Sequence, residues 1–156
     1  LPAGRVPDAF VHGVGTGGTL VGVGQAFRRV NPAVRLFAME PAESRTILCG
    51  EVALHQIEGI SDGFVPGIFA HHRDLLNDTL GVSSNDAVAE MRKLARTRGL
   101  FCGPSSGAHL LAARRIRERF PELKTVVTIL DDEGEKYLHD FFMHPAPGSD
   151  SPVPFH

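Results

Sequence analysis

The sequence predicts an α/β fold built on a largely parallel sheet flanked by helices. Three observations predict it. Apolar stretches at strand spacing alternate with stretches at helix spacing along the chain. The run Thr125 to Leu130, "TVVTIL", is almost continuously apolar, as in strands covered on both faces of a parallel sheet. The stretch "DAFVHGVGTGGTL" passes from a strand through a run of glycines directly into a helix, a corner that cradles phosphate in such folds. Parallel neighbours imply right-handed crossovers, and ligands then sit beyond the carboxyl ends of the strands.

Taken in order, Asp8 to Val14 reads as the first strand and Thr16 to Val30 as a helix closed by Asn31-Pro32. Glycine inside a helix costs about 1 kcal/mol relative to alanine. Gly18, Gly22 and Gly24 are therefore expected to serve close packing or the approach of a ligand. Arg35 to Glu40 reads as a second strand, and Pro41 to Gly50 as a loop with room for a short helix. Gln56 to Phe69 is glycine-punctuated and expected to be extended. Asp78 to Ser83 is a third strand. Ser84 or Asn85 is the expected cap of a helix to Arg98, with Val88, Met91, Leu94 and Ala95 inward and Gly99 at its end. Leu100 to Cys102 is a short strand candidate. Ser105 or Ser106 is the expected cap of a helix to Phe120, with Ala108, Leu111, Ala112, Ile116 and Phe120 inward. After the strand Thr125 to Leu130 comes a last helix from Glu135 to Met143. Residues 1–143 thus form one α/β domain, and the Pro/Ser-rich stretch 144–156 is expected to be a disordered tail.

Composition narrows the function. The chain has 156 residues, 42% of them hydrophobic and 22% charged, with a net charge of −2. That balance offers no basic surface for nucleic acid or an anionic membrane. No apolar run approaches the roughly 20 residues of a membrane helix, and no signal peptide is discernible. Two cysteines, Cys49 and Cys102, form neither a disulfide framework nor a metal pair, which fits a cytoplasmic protein. The eight histidines are scattered, and no protein-bound metal is expected. The chain opens Leu1-Pro2 and enters a strand almost at once, as a piece of a longer protein would.

Gly13-Val14-Gly15-Thr16-Gly17-Gly18 satisfies the G-x-G-x-x-G pattern of dinucleotide sites, and Glu40 ends the next strand where a ribose hydroxyl would bind. An NAD-type domain is therefore one reading. Thr16 and Thr19 favour another: two hydroxyls beside backbone N–H groups at a helix N-terminus form a cup for one phosphate monoester. A third reading is that the glycines serve only a tight turn, in a scaffold that binds nothing. A magnesium site from the acids Asp131 to Glu135 would leave the glycine loop unexplained.

Four ordered motifs carry a resemblance. "GVGTGGTLVGVGQAFRRVNPAVRLFAMEPAES", "QIEGISDGFVP", "RGLFCGPSSGAHLLAA" and "VTILDDEGEKYL" are similar to the cysteine synthase and cystathionine β-synthase family of pyridoxal-phosphate enzymes, over Asp8 to Phe142. The resemblance implies the Rossmann-like three-layer cofactor domain of a fold type II enzyme, larger and C-terminal in the family. It implies pyridoxal 5′-phosphate as cofactor, its phosphate held by Gly15, Thr16, Gly17, Gly18 and Thr19. Gly59 would lie beside cofactor and substrate in a segment that moves as the site closes. Where the family has a serine facing the pyridine nitrogen, this chain has Glu133. A carboxylate there would favour the pyridinium and strengthen the ring as an electron sink. Alternatively Glu133 faces solvent, since an acid in a helix's first turn is stabilising by itself. Ser105 and Ser106 are expected to support the helix; a direct cofactor contact is the alternative.

The implied chemistry is cysteine synthase-type β-replacement on an activated L-serine through an aminoacrylate, as in cysteine biosynthesis. Cystathionine formation and cysteine desulfhydration are close relatives of it. The family's Schiff-base lysine has no counterpart among Lys93, Lys124 and Lys136. This chain would be the C-terminal portion of an enzyme acting on a small amino acid, homodimeric when full-length, and inactive by itself. No catalytic residue is assigned within it.

Overall fold

A computed structural model describes residues 6–143. The expected α/β architecture is present: a sheet of four parallel strands flanked by helices. The strands are β1 (Ala9–Gly13), β2 (Arg35–Pro41), β3 (Asp78–Val82) and β4 (Val126–Val127), in the spatial order β3-β2-β1-β4. The helices are α1 (Gly18–Val30), α2 (Thr46–Cys49), α3 (Gly67–His71), α4 (Ser84–Arg98) and α5 (Pro104–Arg119).

Period-2 alternation divides the sheet's side chains between two cores. Ala9 and Val11 of β1 join Phe37 and Met39 of β2 in a core closed by Ala87, Ala108, Ala112 and Ile116 of α4 and α5. Phe10, Leu36 and Ala38 form the opposite core with Leu20 of α1, Ile47 and Phe69. The inward positions expected for α5 hold, with Leu111 and Phe120 half-buried at its margin. The tail 144–156 lies outside the described residues.

Several boundaries differ from the sequence reading, each for a local reason. Ser83, not Ser84 or Asn85, caps α4: its hydroxyl accepts the Asp86 N–H at 3.1 Å. Ser84 instead accepts the Gln56 N–H at 2.9 Å. Gly103, not Ser105 or Ser106, caps α5, because Pro104 starts the helix with its φ already set. Residues 67–69 are helical in α3 and not extended. The strand expected at Thr125 to Leu130 pairs only at Val126 and Val127. It lies at the sheet's edge, with Val126 packed on one core and Val127 and Ile129 on the other, each only half-buried. Of Leu100 to Cys102 only Cys102 pairs, in an antiparallel bridge to Glu133. The last helix is a 3-10 turn, Gly134–Tyr137, followed by a π-type segment, Leu138–Met143. The buried Tyr137 donates its hydroxyl hydrogen to Asp132, which holds that first turn tight.

Close packing explains some helix glycines and not others. A Cβ on Gly24 would strike Leu36, and one on Gly107 would overlap the Ala87 carbonyl oxygen where α4 and α5 touch. Gly22, expected to serve contact as well, is exposed with no neighbour within 4 Å. Two substitutions should therefore move stability in opposite directions. Gly107→Ala should lower it by about 1–3 kcal/mol, the range for overpacking. Gly22→Ala should raise it by about 0.5–1 kcal/mol through helix propensity. Urea denaturation followed by circular dichroism measures both.

Candidate active site

The cavity lies where β1 and β4 part, at the carboxyl end of the sheet and between strands whose connections run to opposite sides. It encloses about 320 Å³ and is lined by the glycine loop, by Glu58, Gly59 and Ile60, and by His12, Ser105, Asp131 and Asp132.

The glycine loop forms one wall. Gly15, Thr16, Gly17 and Thr19 line the cavity, and Gly18 opens α1 beside them. Gly17 caps α1 with φ 85°, a left-handed conformation that favours glycine, and a Cβ there would also strike Phe69. This cap offers no side-chain acceptor, and the first turn of α1 carries no acid. The turn's N–H groups are left to a ligand, apart from a long 3.4 Å bond from Gly18 to the Thr16 hydroxyl. A Cβ on Gly15 would overlap the carbonyl oxygen of Gly59. Gly59 itself has φ 82°. The Ser61 N–H reaches back to the Val14 carbonyl at 3.0 Å, so the segment bearing Gly59 rests directly on the loop.

The opposite wall is acidic. Asp131 and Asp132 line it, whereas Glu133 is exposed and does not. Glu133 pairs instead with Cys102 in an antiparallel bridge, just after the two carboxylates that line the cavity. Asp131 accepts from two buried histidines: His12 Nε2 lies 3.1 Å from Oδ1 and His109 Nδ1 lies 3.1 Å from Oδ2. Burial alone would raise the Asp131 pKa, but the hydrogen bonds from His109 and His12 outweigh it and hold the carboxyl well below the usual range. Ser106 accepts the Asp131 N–H at 3.0 Å. The Ser105 hydroxyl is buried without a partner among the described residues.

Glu40 does not reach the cavity. It is 1% exposed, and its carboxylate accepts the Ile47 and Leu48 N–H groups at 2.8 and 3.2 Å. It thus caps α2 from within the core, which leaves the ribose role of the NAD reading unfilled. Burial raises its pKa against the opposing pull of those N–H groups and of Arg45 and Arg73.

A family model described as pyridoxal-phosphate dependent enzyme matches residues 2–132. The chain belongs to that family. Its relatives include the O-ureido-L-serine synthase of Streptomyces lavendulae, 40% identical over 139 residues, which are 89% of this chain and 42% of that protein. The cysteine synthase of Staphylococcus aureus is 37% identical over 86% of this chain and 43% of its own. Among solved structures, a hydrogen sulfide-producing enzyme of Fusobacterium nucleatum superposes with a TM-score of 0.84 at 35% identity, covering 93% of this chain and 43% of its own. The chain therefore spans less than half the length of these relatives. They are fold type II enzymes, and pyridoxal phosphate is the family's cofactor.

The residues present fit that cofactor. An uncapped helix start, two threonines and a glycine loop suit a phosphate dianion, and acids on the far wall suit a pyridine nitrogen. The three lysines lie elsewhere. Lys93 pairs with Glu90, Lys124 donates to the Pro121 carbonyl, and Lys136 sits 3.1 Å from Glu58 and 3.9 Å from Asp132 at the cavity's rim. The hydrogen bond to Glu58, with the charges of Asp132 and Glu58, raises the Lys136 pKa and so opposes the free amine a nucleophile needs.

His12 and His109 went unmarked in the sequence, and Asp131 stood out only as part of an acidic run. Their donor atoms lie within 4.8 Å of one another, a candidate ligand set for a metal. The hydrogen bonds argue against one. His109 Nε2 accepts the Gly13 N–H at 2.7 Å, and Nδ1 then carries the hydrogen and cannot ligate. Local spacing held no signal for this trio; the only clue was that each histidine adjoins a glycine or serine motif.

Two outcomes are expected. Glu40→Ala should destabilise the fold by about 1–3 kcal/mol, by leaving the buried Ile47 N–H and the part-buried Leu48 N–H without their acceptor, while ligand affinity at the cavity holds. Because the folded state lowers the Asp131 pKa, its contribution is complete above about pH 4 and is lost as pH falls below that. Asp131→Asn should therefore flatten the acid limb of stability against pH, read from urea midpoints at a series of pH values.

Proposed function

We propose that this chain supplies the phosphate-binding wall and ring pocket of a pyridoxal-phosphate enzyme that carries out β-replacement on an O-activated L-serine. The observation that carries the reading is the glycine loop opening onto the cavity at the unprotected start of α1. The names of the relatives, O-ureido-L-serine synthase and cysteine synthase, support the substrate class.

Gly15, Thr16, Gly17, Gly18 and Thr19 bind the phosphate with N–H and hydroxyl donors. The bound cofactor supplies an electron sink for labilising bonds at the amino acid's α- and β-carbons. Asp132 places a carboxylate on the far wall, where it favours a protonated ring nitrogen, beside the histidine-bound Asp131; Glu133 is exposed. Gly59 and its neighbours, tethered to Val14, pack over the loop and exclude water. Neither the base nor the Schiff-base lysine is among Lys93, Lys124 and Lys136, so the chain by itself does not turn over.

Equilibrium binding of pyridoxal phosphate and NAD to the 156-residue chain tests the reading. Pyridoxal phosphate should bind, and the double substitution Thr16→Val with Thr19→Val should weaken it at least about tenfold, the worth of one hydrogen bond to a charged group. Borohydride should trap none of the three lysines. Preference for NAD over pyridoxal phosphate would overturn the proposal.

A further inference from the structure

Beyond the pair Phe10–Val127, the ladder between β1 and β4 ends. Side chains then take up the polar groups the ladder no longer serves. The Thr128 hydroxyl donates to the Val11 carbonyl at 2.8 Å. The Gly13 N–H donates to His109 Nε2 at 2.7 Å, and the Gly13 carbonyl lies 2.7 Å from His12 Nδ1. Both polar groups of one peptide residue are thus held by imidazoles.

The partners determine the hydrogens. An amide N–H can only donate, so His109 Nε2 accepts and the ring's hydrogen is on Nδ1. That nitrogen faces the Ile129 carbonyl at 2.8 Å and Asp131 Oδ2 at 3.1 Å, both acceptors. His12 differs. Its Nδ1 faces the carbonyl of Gly13 and its Nε2 faces Asp131 Oδ1 at 3.1 Å. Both partners only accept, so His12 makes both bonds only with a hydrogen on each nitrogen. Its centroid lies 4.4 Å from that of His109, and the rings are 8% and 0% exposed. The other charged groups lining the cavity, Glu58 and Asp132, are served by Lys136. Asp131 is thus the carboxylate that balances His12.

We propose that Asp131 is a positioning residue for the phosphate loop: with a doubly protonated His12 and a neutral His109 it forms an ion-paired chain that fixes both polar groups of Gly13, the residue from which the loop leaves β1. The clamp leaves no slack. A Cβ on Gly13 would stand 3.0 Å from His109 Nε2 and 2.8 Å from Ile60. The functional part of this inference rests on the loop's phosphate role; the clamp itself does not.

Side-chain nitrogen NMR of the 15N-labelled chain tests the clamp without any ligand. At neutral pH, His12 should show hydrogens on both ring nitrogens and His109 on Nδ1 alone. In Asp131→Asn the amide can donate to one ring and accept from the other, so His12 should become neutral while Gly13 stays protected from amide exchange. In Asp131→Ala that protection should fall at least about tenfold, and pyridoxal phosphate affinity should fall by a similar factor, with Asp131→Asn intermediate. A neutral His12 in the parent chain would overturn the proposal, as would Asp131→Ala that keeps both Gly13 protection and affinity. Should the parent chain fail to bind pyridoxal phosphate, the phosphate reading falls, and the ring and amide signals still decide the clamp.

Discussion

Between Phe10 and Gly13 the backbone of β1 changes partners. Up to Phe10 its free side is satisfied by β4; after it, by side chains from β1 itself, α5 and the chain beyond β4. A buried N–H or carbonyl left unpaired costs as much as a lost hydrogen bond, so strands cannot separate without such substitutes. The opening that results is the cavity. Three of its walls follow from the parting: the loop leaves from β1, the acidic segment from the end of β4, and the start of α5 closes the gap between them.

Small residues bring those walls within reach of one another. Gly15 lets the segment carrying Gly59 lie on the loop, and Gly17 lets α3 approach the start of α1. Gly107 lets α5 seat against α4, which sets where His109 meets Gly13. These contacts leave backbone N–H groups bare along the cavity wall. Such donors carry no formal charge, so the start of α1 provides the field that a lysine or arginine would otherwise supply.

The charged groups divide by depth. Glu40, deep in the sheet, is spent on capping α2 and has no ligand to meet. Asp131 and Asp132, at the sheet's open end, keep a face toward the cavity. These carboxylates differ in role because Glu40 lies within a ladder and the two aspartates lie beyond its end.

The periodicity of the sequence determined the α/β class, the parallel strands and the inward faces of α4 and α5, because those depend on local spacing of apolar side chains. The glycine corner that opens α1 was legible for another reason: its glycines, threonines and helix are contiguous. What depended on distant residues was decided by the tertiary structure alone. Helix starts moved by one to three residues where Pro104 or a loop partner of Ser84 outweighed local capping. Glu133, bridged to Cys102, is exposed, while Asp131 and Asp132 line the cavity. His12, His109 and Asp131 meet only because β1, α5 and the end of β4 converge at one edge. No spacing along the chain encodes that meeting, since contacts of this kind form only once the sheet has brought its strand ends together.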